Sequence, residues 1–189
     1  MTPRRVLACW LRAACLLLCL AAMGTPRAQT ERVAAEYQVK AAYLYKFLDF
    51  VEWPPRAFES AQSPFVIGVI GADALADELA LVVATRQSGG RAAMVRKLRP
   101  GEPVTGVHML FIGRSAAART ASLVASTKDM PVLTVTETED AFAAGSSINF
   151  VLIDNKVRFD VALRGGEPSQ FKISSRLLGV ARKVVGGTS

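Results

Sequence analysis

Cysteine and histidine are scarce in this chain of 189 residues. Cys9, Cys15 and Cys19 are the only cysteines, and His108 is the only histidine. A thiolate or imidazole metal site needs several such ligands at set spacing, and a disulfide framework needs pairs spread through the fold. The carboxylates are scattered, with no Asp-x-Asp loop, so the sequence predicts no metal and no cofactor. Long apolar runs are missing too. The longest, residues 13–23, covers about 11 positions where a membrane span needs about 20.

That short run reads as part of a leader. Arg4, Arg5 and Arg12 precede it, and Gly24, Thr25 and Pro26 break it, the pattern of a secretory signal peptide with a cut after Ala28. The prediction is a leader over residues 1–28 and a single exported domain over residues 29–189. The exported part would carry no cysteine, so it could form neither a disulfide nor a thiolate metal site. The leader holds four arginines and no acid, so its removal takes the net charge from +7 to +3. A charge of that size is ordinary for solubility and gives no reason to expect nucleic acid.

The order of elements sets the fold class. Val33, Tyr37, Ala41, Leu44, Phe47, Leu48 and Val51 recur at three- and four-residue spacing, so a helix is expected from Glu31 to Val51 before Pro54-Pro55. Strands are expected at Phe65–Ile70, Ala92–Leu98, His108–Ile112 and Pro131–Val135. Helices are expected from Asp73, as cap, to Ala84, from Ser115 to Ser126, and briefly around Glu139 to Ala143. Asp154-Asn155 suits a tight hairpin between Ser147–Ile153 and Lys156–Leu163. A last helix is expected from Ser169 to Val185, with Arg182 and Lys183 in its final turn. The prediction is an α/β fold: a mixed, mostly parallel sheet with helices on both faces, ending in a β-hairpin plus a helix.

Enzymatic signals are weak. Phe111-Ile-Gly-Arg-Ser115 resembles the start of a hydrolase elbow, but Ala117 replaces the closing glycine. The only imidazole, His108, lies at the other end of the same strand, roughly 20 Å away at 3.3 Å per residue. Ser115 is read as a helix N-cap and His108 as a partly buried strand end. Gly68-Val-Ile-Gly71-Ala-Asp73 lacks the full dinucleotide glycine spacing, and arginines stand where the acidic residue would close that motif. Arg91, Arg96, Lys97 and Arg99 fit a strand face in water. Tyr43, Phe50 and Trp53 extend the apolar surface of the first helix beyond one stripe. That surface either lies under the domain's own sheet or forms an exposed patch for a partner or apolar ligand.

Two segments carry a resemblance. Val39-Lys-Ala-Ala-Tyr-Leu-Tyr-Lys-Phe-Leu-Asp-Phe-Val-Glu-Trp53-Pro54 and Ile173-Ser-Ser-Arg-Leu-Leu178 resemble the N- and C-terminal signatures of the YfiR-like family of exported bacterial proteins. Lys46 stands where that family usually has asparagine, Ala162 replaces another asparagine, and Val107 replaces a frequent cysteine. The resemblance implies a periplasmic α/β domain that is a regulator and not an enzyme. Its implied partner is a membrane-bound diguanylate cyclase or sensor kinase, held through its periplasmic part, with an outer-membrane lipoprotein as a second partner; a homodimer stays open. The contact residues expected from the matching segments are Tyr43, Lys46, Phe47, Trp53, Ser175 and Arg176. The alternative expectation is a periplasmic carrier of a small apolar or aromatic ligand, bound beside the first helix.

Overall fold

The computed structural model describes residues 26–163 and 170–186. The chain divides into two compact units, Met1–Ala35 and Glu36–Ser189. In the first, the described residues 26–35 are helical throughout. The fold and sites below belong to the second.

Eight strands form the main sheet in the order β10-β8-β7-β6-β5-β2-β4-β3. They are β2 (Phe65–Ile70), β3 (Gln87–Ser88), β4 (Arg91–Lys97), β5 (Met109–Ile112), β6 (Leu133–Thr136), β7 (Ile148–Ile153), β8 (Lys156–Ala162) and β10 (Lys183–Val185). The five strands β4, β2, β5, β6 and β7 pair in parallel. The mixed, mostly parallel sheet expected from the element order is therefore present. β7 and β8 form the hairpin, antiparallel from Ile148↔Val161 to Ile153↔Lys156. Asp154 and Asn155 both take positive φ, 49° and 58°, as a two-residue primed turn requires.

Side chains of the central strands alternate between two cores, because successive strand residues face opposite sides. Ile67, Val69, Met109, Phe111, Leu133 and Val135 enter the larger core. The helix α1 (Pro26–Phe47) contributes Ala41, Leu44 and Phe47 to it, and α2 (Asp73–Val83) contributes Leu75, Leu79 and Val83. On the other face Ile70, Leu110 and Ile112 pack with Val124 of α3 (Thr120–Ser126). The alternation puts helices on both faces.

The chain departs from the expected elements at several places. After α1 a 3-10 turn, Leu48–Phe50, leads into β1 (Val51–Glu52), so the helix stops four residues early. β1 pairs antiparallel with β9 (Lys172–Ile173), through Val51↔Ile173 and Glu52↔Lys172. A strand ladder thus takes the backbone groups that a longer helix would have used. The last helix, α4, covers only Ser175–Val180, and the expected start at Ser169 lies outside the described residues. Beyond it the chain straightens into β10, parallel to β8. The reason is Asp160, buried at 3% exposure, which needs a cation. Arg182 meets it with two donors, and the Arg182 N–H bonds the Phe159 carbonyl at 2.8 Å, which lays the chain along the sheet edge. Asp73 begins α2 without capping it; Ala72 holds the cap position.

Candidate functional site

The two signature segments meet in space. The β1–β9 ladder joins them, Ser174 N–H donates to the Phe50 carbonyl at 2.9 Å, and Arg56 Nη2 donates to Gln170 Oε1 at 2.5 Å. In the C-terminal segment, Ser174 Oγ accepts from Leu177 N–H and caps α4, while Leu177 is buried. Ser175 and Arg176 are exposed. In the N-terminal segment, Phe47 is buried at 1% exposure and forms ring pairs with Phe150 and Phe159, at centroid distances of 5.9 and 5.1 Å. Tyr43 is half-buried in the same group. Lys46 is exposed and sits 3.7 Å from Asp49. Of the six expected contact residues, Lys46, Ser175 and Arg176 are open to a partner, Phe47 serves the core, and Tyr43 and Trp53 lie between.

Trp53 is held by its polar edge. Its Nε1–H donates to the His108 carbonyl at 3.2 Å, and its ring lies 5.1 Å from that of Phe65. Phe58 stacks on His108 at 4.4 Å, and the Arg91 guanidinium covers Phe58 at 4.0 Å. His108 is buried more deeply than expected, and its Nδ1 accepts from Val66 N–H at 3.1 Å. Burial holds its pKa below the ordinary 6.5, partly offset by the Ala57 backbone, so the ring is neutral. Beside this cluster is a recess of about 510 Å³, lined by Leu48, Asp49, Val51, Trp53, Phe58, Phe65 and Arg91 among others.

The expected arrangement of Ser115 is corrected. Arg114–Arg119 is a 3-10 turn that follows Gly113, and the Ser115 hydroxyl caps nothing: it donates to the Gly71 carbonyl at 2.7 Å. It stands past the carboxyl end of β5, and His108 precedes the amino end, so the two cannot act together. Among the described residues no group of three or more His, Cys, Asp or Glu is placed to hold a metal ion.

A charged cluster escaped the sequence reading. Lys40, 1% exposed, bonds both Glu36 and Glu137. Arg114 Nη2 reaches Glu36 Oε1 at 2.8 Å, and Arg114 N–H donates to Glu137 Oε1 at 3.0 Å. Burial pulls the Arg114 pKa down, but Glu137 and Glu36 outweigh it and the net shift is upward. Tyr37 nearby is raised, first by burial and then by Glu137. Glu36 and Lys40, four apart on α1, were the one visible signal, since residues at that spacing are neighbours on a helix.

The chain matches the profile of the YfiR/HmsC-like family over residues 37–182. It belongs to that family. The YfiR/HmsC-like proteins are periplasmic regulators, known in the control of diguanylate cyclases. No curated protein matches the chain. Both segments that resemble the family signatures fall within the matched residues. No helix among the described residues is long and apolar enough to cross a membrane.

Proposed function

We propose that this YfiR/HmsC-like protein is a periplasmic regulatory binding protein, exported through the leader at residues 1–28. It acts by contact with the periplasmic part of a membrane-bound diguanylate cyclase or sensor kinase, and an outer-membrane lipoprotein competes for it. The contact uses Lys46, Trp53, Ser175 and Arg176, with Tyr43 and Phe47 supporting them from beneath. The reading is supported chiefly by the β1–β9 ladder, which unites two segments far apart in sequence while leaving charged groups of both in solvent. An interface draws affinity from a few anchors, of which tryptophan and arginine are the commonest.

The test is made in the source bacterium. Deleting the gene raises cyclic di-GMP, the wild-type gene restores it, and a Lys46→Glu, Arg176→Glu double variant does not, although it melts like wild type. Unchanged cyclic di-GMP on deletion, or full rescue by the double variant, contradicts the proposal. A second reading, a carrier for a small apolar or aromatic ligand, is favoured by the ring-lined recess beside Trp53. It predicts a retained small molecule in native mass spectrometry and a thermal shift from a metabolite panel; neither being found retires it.

A further inference from the structure

The carboxyl end of the parallel sheet holds a cavity that the reading above leaves unused. Among the parallel strands the chain order runs β2, β4, β5, β6, β7, while the spatial order is β4-β2-β5-β6-β7. The connection leaving β2 runs into α2 on one face, and that leaving β5 runs toward α3 on the other. Such a reversal opens a crevice beyond the strand ends. Here it encloses about 590 Å³.

The two loops beside it are packed backbone to backbone. Gly71 has φ +73°, and a Cβ there would lie 2.7 Å from the Ala116 Cβ and 2.9 Å from the Ser115 Oγ. A Cβ at Gly113 would lie 2.4 Å from the Gly71 oxygen. The Ser115 hydroxyl, bonded to that same oxygen, ties the two loops together.

The walls are cationic. Lys97, Arg99 and Arg119 line the crevice against one acid, Asp73. Lys97 shares its charge with Asp77 at 2.6 Å, and Arg99 is exposed at the rim. Arg119 differs from both. It lines the crevice while only partly exposed, and no acid is paired with it among the described residues. A guanidinium at the wall of such a crevice can offer paired N–H donors to phosphoryl oxygens. Ile70, Leu98, Pro100 and Ala116 add apolar surface to the lining between the cations. The space is of the size that holds a whole small molecule, and a phosphoryl group alone would fill only a small part of it.

We propose that this crevice binds a phosphomonoester, with Arg119 on the phosphoryl oxygens, Lys97 and Arg99 at the rim, and an organic body against the Leu98 side. The proposal stands apart from the partner surface around the β1–β9 ladder and does not depend on it. No bond to the phosphoryl group is broken.

Amide NMR of the purified protein tests it, with glucose 6-phosphate, glucose and inorganic phosphate as probes. Vesicles of phosphatidylcholine with and without phosphatidic acid distinguish a headgroup source from a soluble one. Glucose 6-phosphate is expected to shift the amides of Gly71, Ala72, Asp73 and Ser115 saturably, phosphate to shift the same amides more weakly, and glucose to shift none. Binding only to vesicles containing phosphatidic acid, through the same residues, supports the same site with a lipid headgroup as its ligand. Arg119→Gln is expected to weaken binding at least tenfold with an unchanged melting temperature, and Arg158→Gln on β8 to leave it unchanged. Absence of saturable shifts from every phosphate probe overturns the proposal. So does an Arg119→Gln protein that binds like wild type.

Discussion

At the amino ends of β2 and β5 the fold is closed by rings: Trp53, Phe58, Phe65 and His108 pack in tilted, edge-to-face and stacked pairs, and a single indole N–H reaches a carbonyl. At the carboxyl ends of β5 and β6 it is closed by charge: Lys40 and Arg114 hold Glu36 and Glu137. The same helix α1 supplies one half of the charged set, and its continuation through β1 supplies the tryptophan. The difference concerns what each end loses when one member is removed. A ring leaves a gap that neighbours partly fill. An ion leaves its partners charged and buried, which is the worse outcome even where the complete set adds little net stability.

The largest effect is expected at Lys40. Lys40→Ala should destabilise the fold by about 3–5 kcal/mol in urea unfolding, because Glu137 and Glu36 lose their shared cation. Replacing both buried partners, Lys40→Met with Glu137→Leu, should cost less than Lys40→Ala alone, with Arg114 still paired to Glu36. If the double variant is the weaker, the charged end is held by net attraction and the contrast fails.

On the aromatic side, Phe65→Ala should cost about 3 kcal/mol, the low end for a buried ring and less than Lys40→Ala, because neighbouring rings partly fill the gap. Trp53→Phe keeps a ring and deletes only the N–H bond to the His108 carbonyl, so about 1 kcal/mol is expected. The smallest effect concerns pH. His108 is neutral in the folded protein with a lowered pKa, while the unfolded chain takes up its proton near 6.5. Its contribution is therefore intact above pH 6.5 and is lost as pH falls from 6.5 toward the native value. His108→Asn keeps an acceptor for Val66 N–H, and its melting temperature should fall less than wild type between pH 6.5 and 5. Equal slopes would mean that other groups set the acid sensitivity.

Much of the fold was legible because local rules and tertiary structure agree. Asp154-Asn155 between two alternating runs could only be a tight turn, and Phe65–Ile70 is apolar on both parities because both faces are covered. The misreadings come from long-range pairing. Nothing near Val51 announces that Ile173 will take its backbone, and nothing near Arg182 announces the buried Asp160. Nothing near Lys40 announces its decisive partner either, because Glu137 is 97 positions away. The crevice was visible only in pieces, as a failed glycine motif and a basic cluster read as a strand face, since Arg119 joins Lys97 and Arg99 from the turn after β5. Of the expected contact residues, exposure separated Lys46, Ser175 and Arg176 from Phe47, and periodicity alone could not do so.

The contact account is tested most directly by hydrogen exchange on this protein with and without the periplasmic part of the proposed partner, a cyclase or sensor kinase. Amides at residues 46–54 and 172–178 should exchange more slowly in the complex, and the Lys46→Glu, Arg176→Glu variant should lose that protection. Protection confined to other strands, with those two segments exchanging as they do alone, would contradict it.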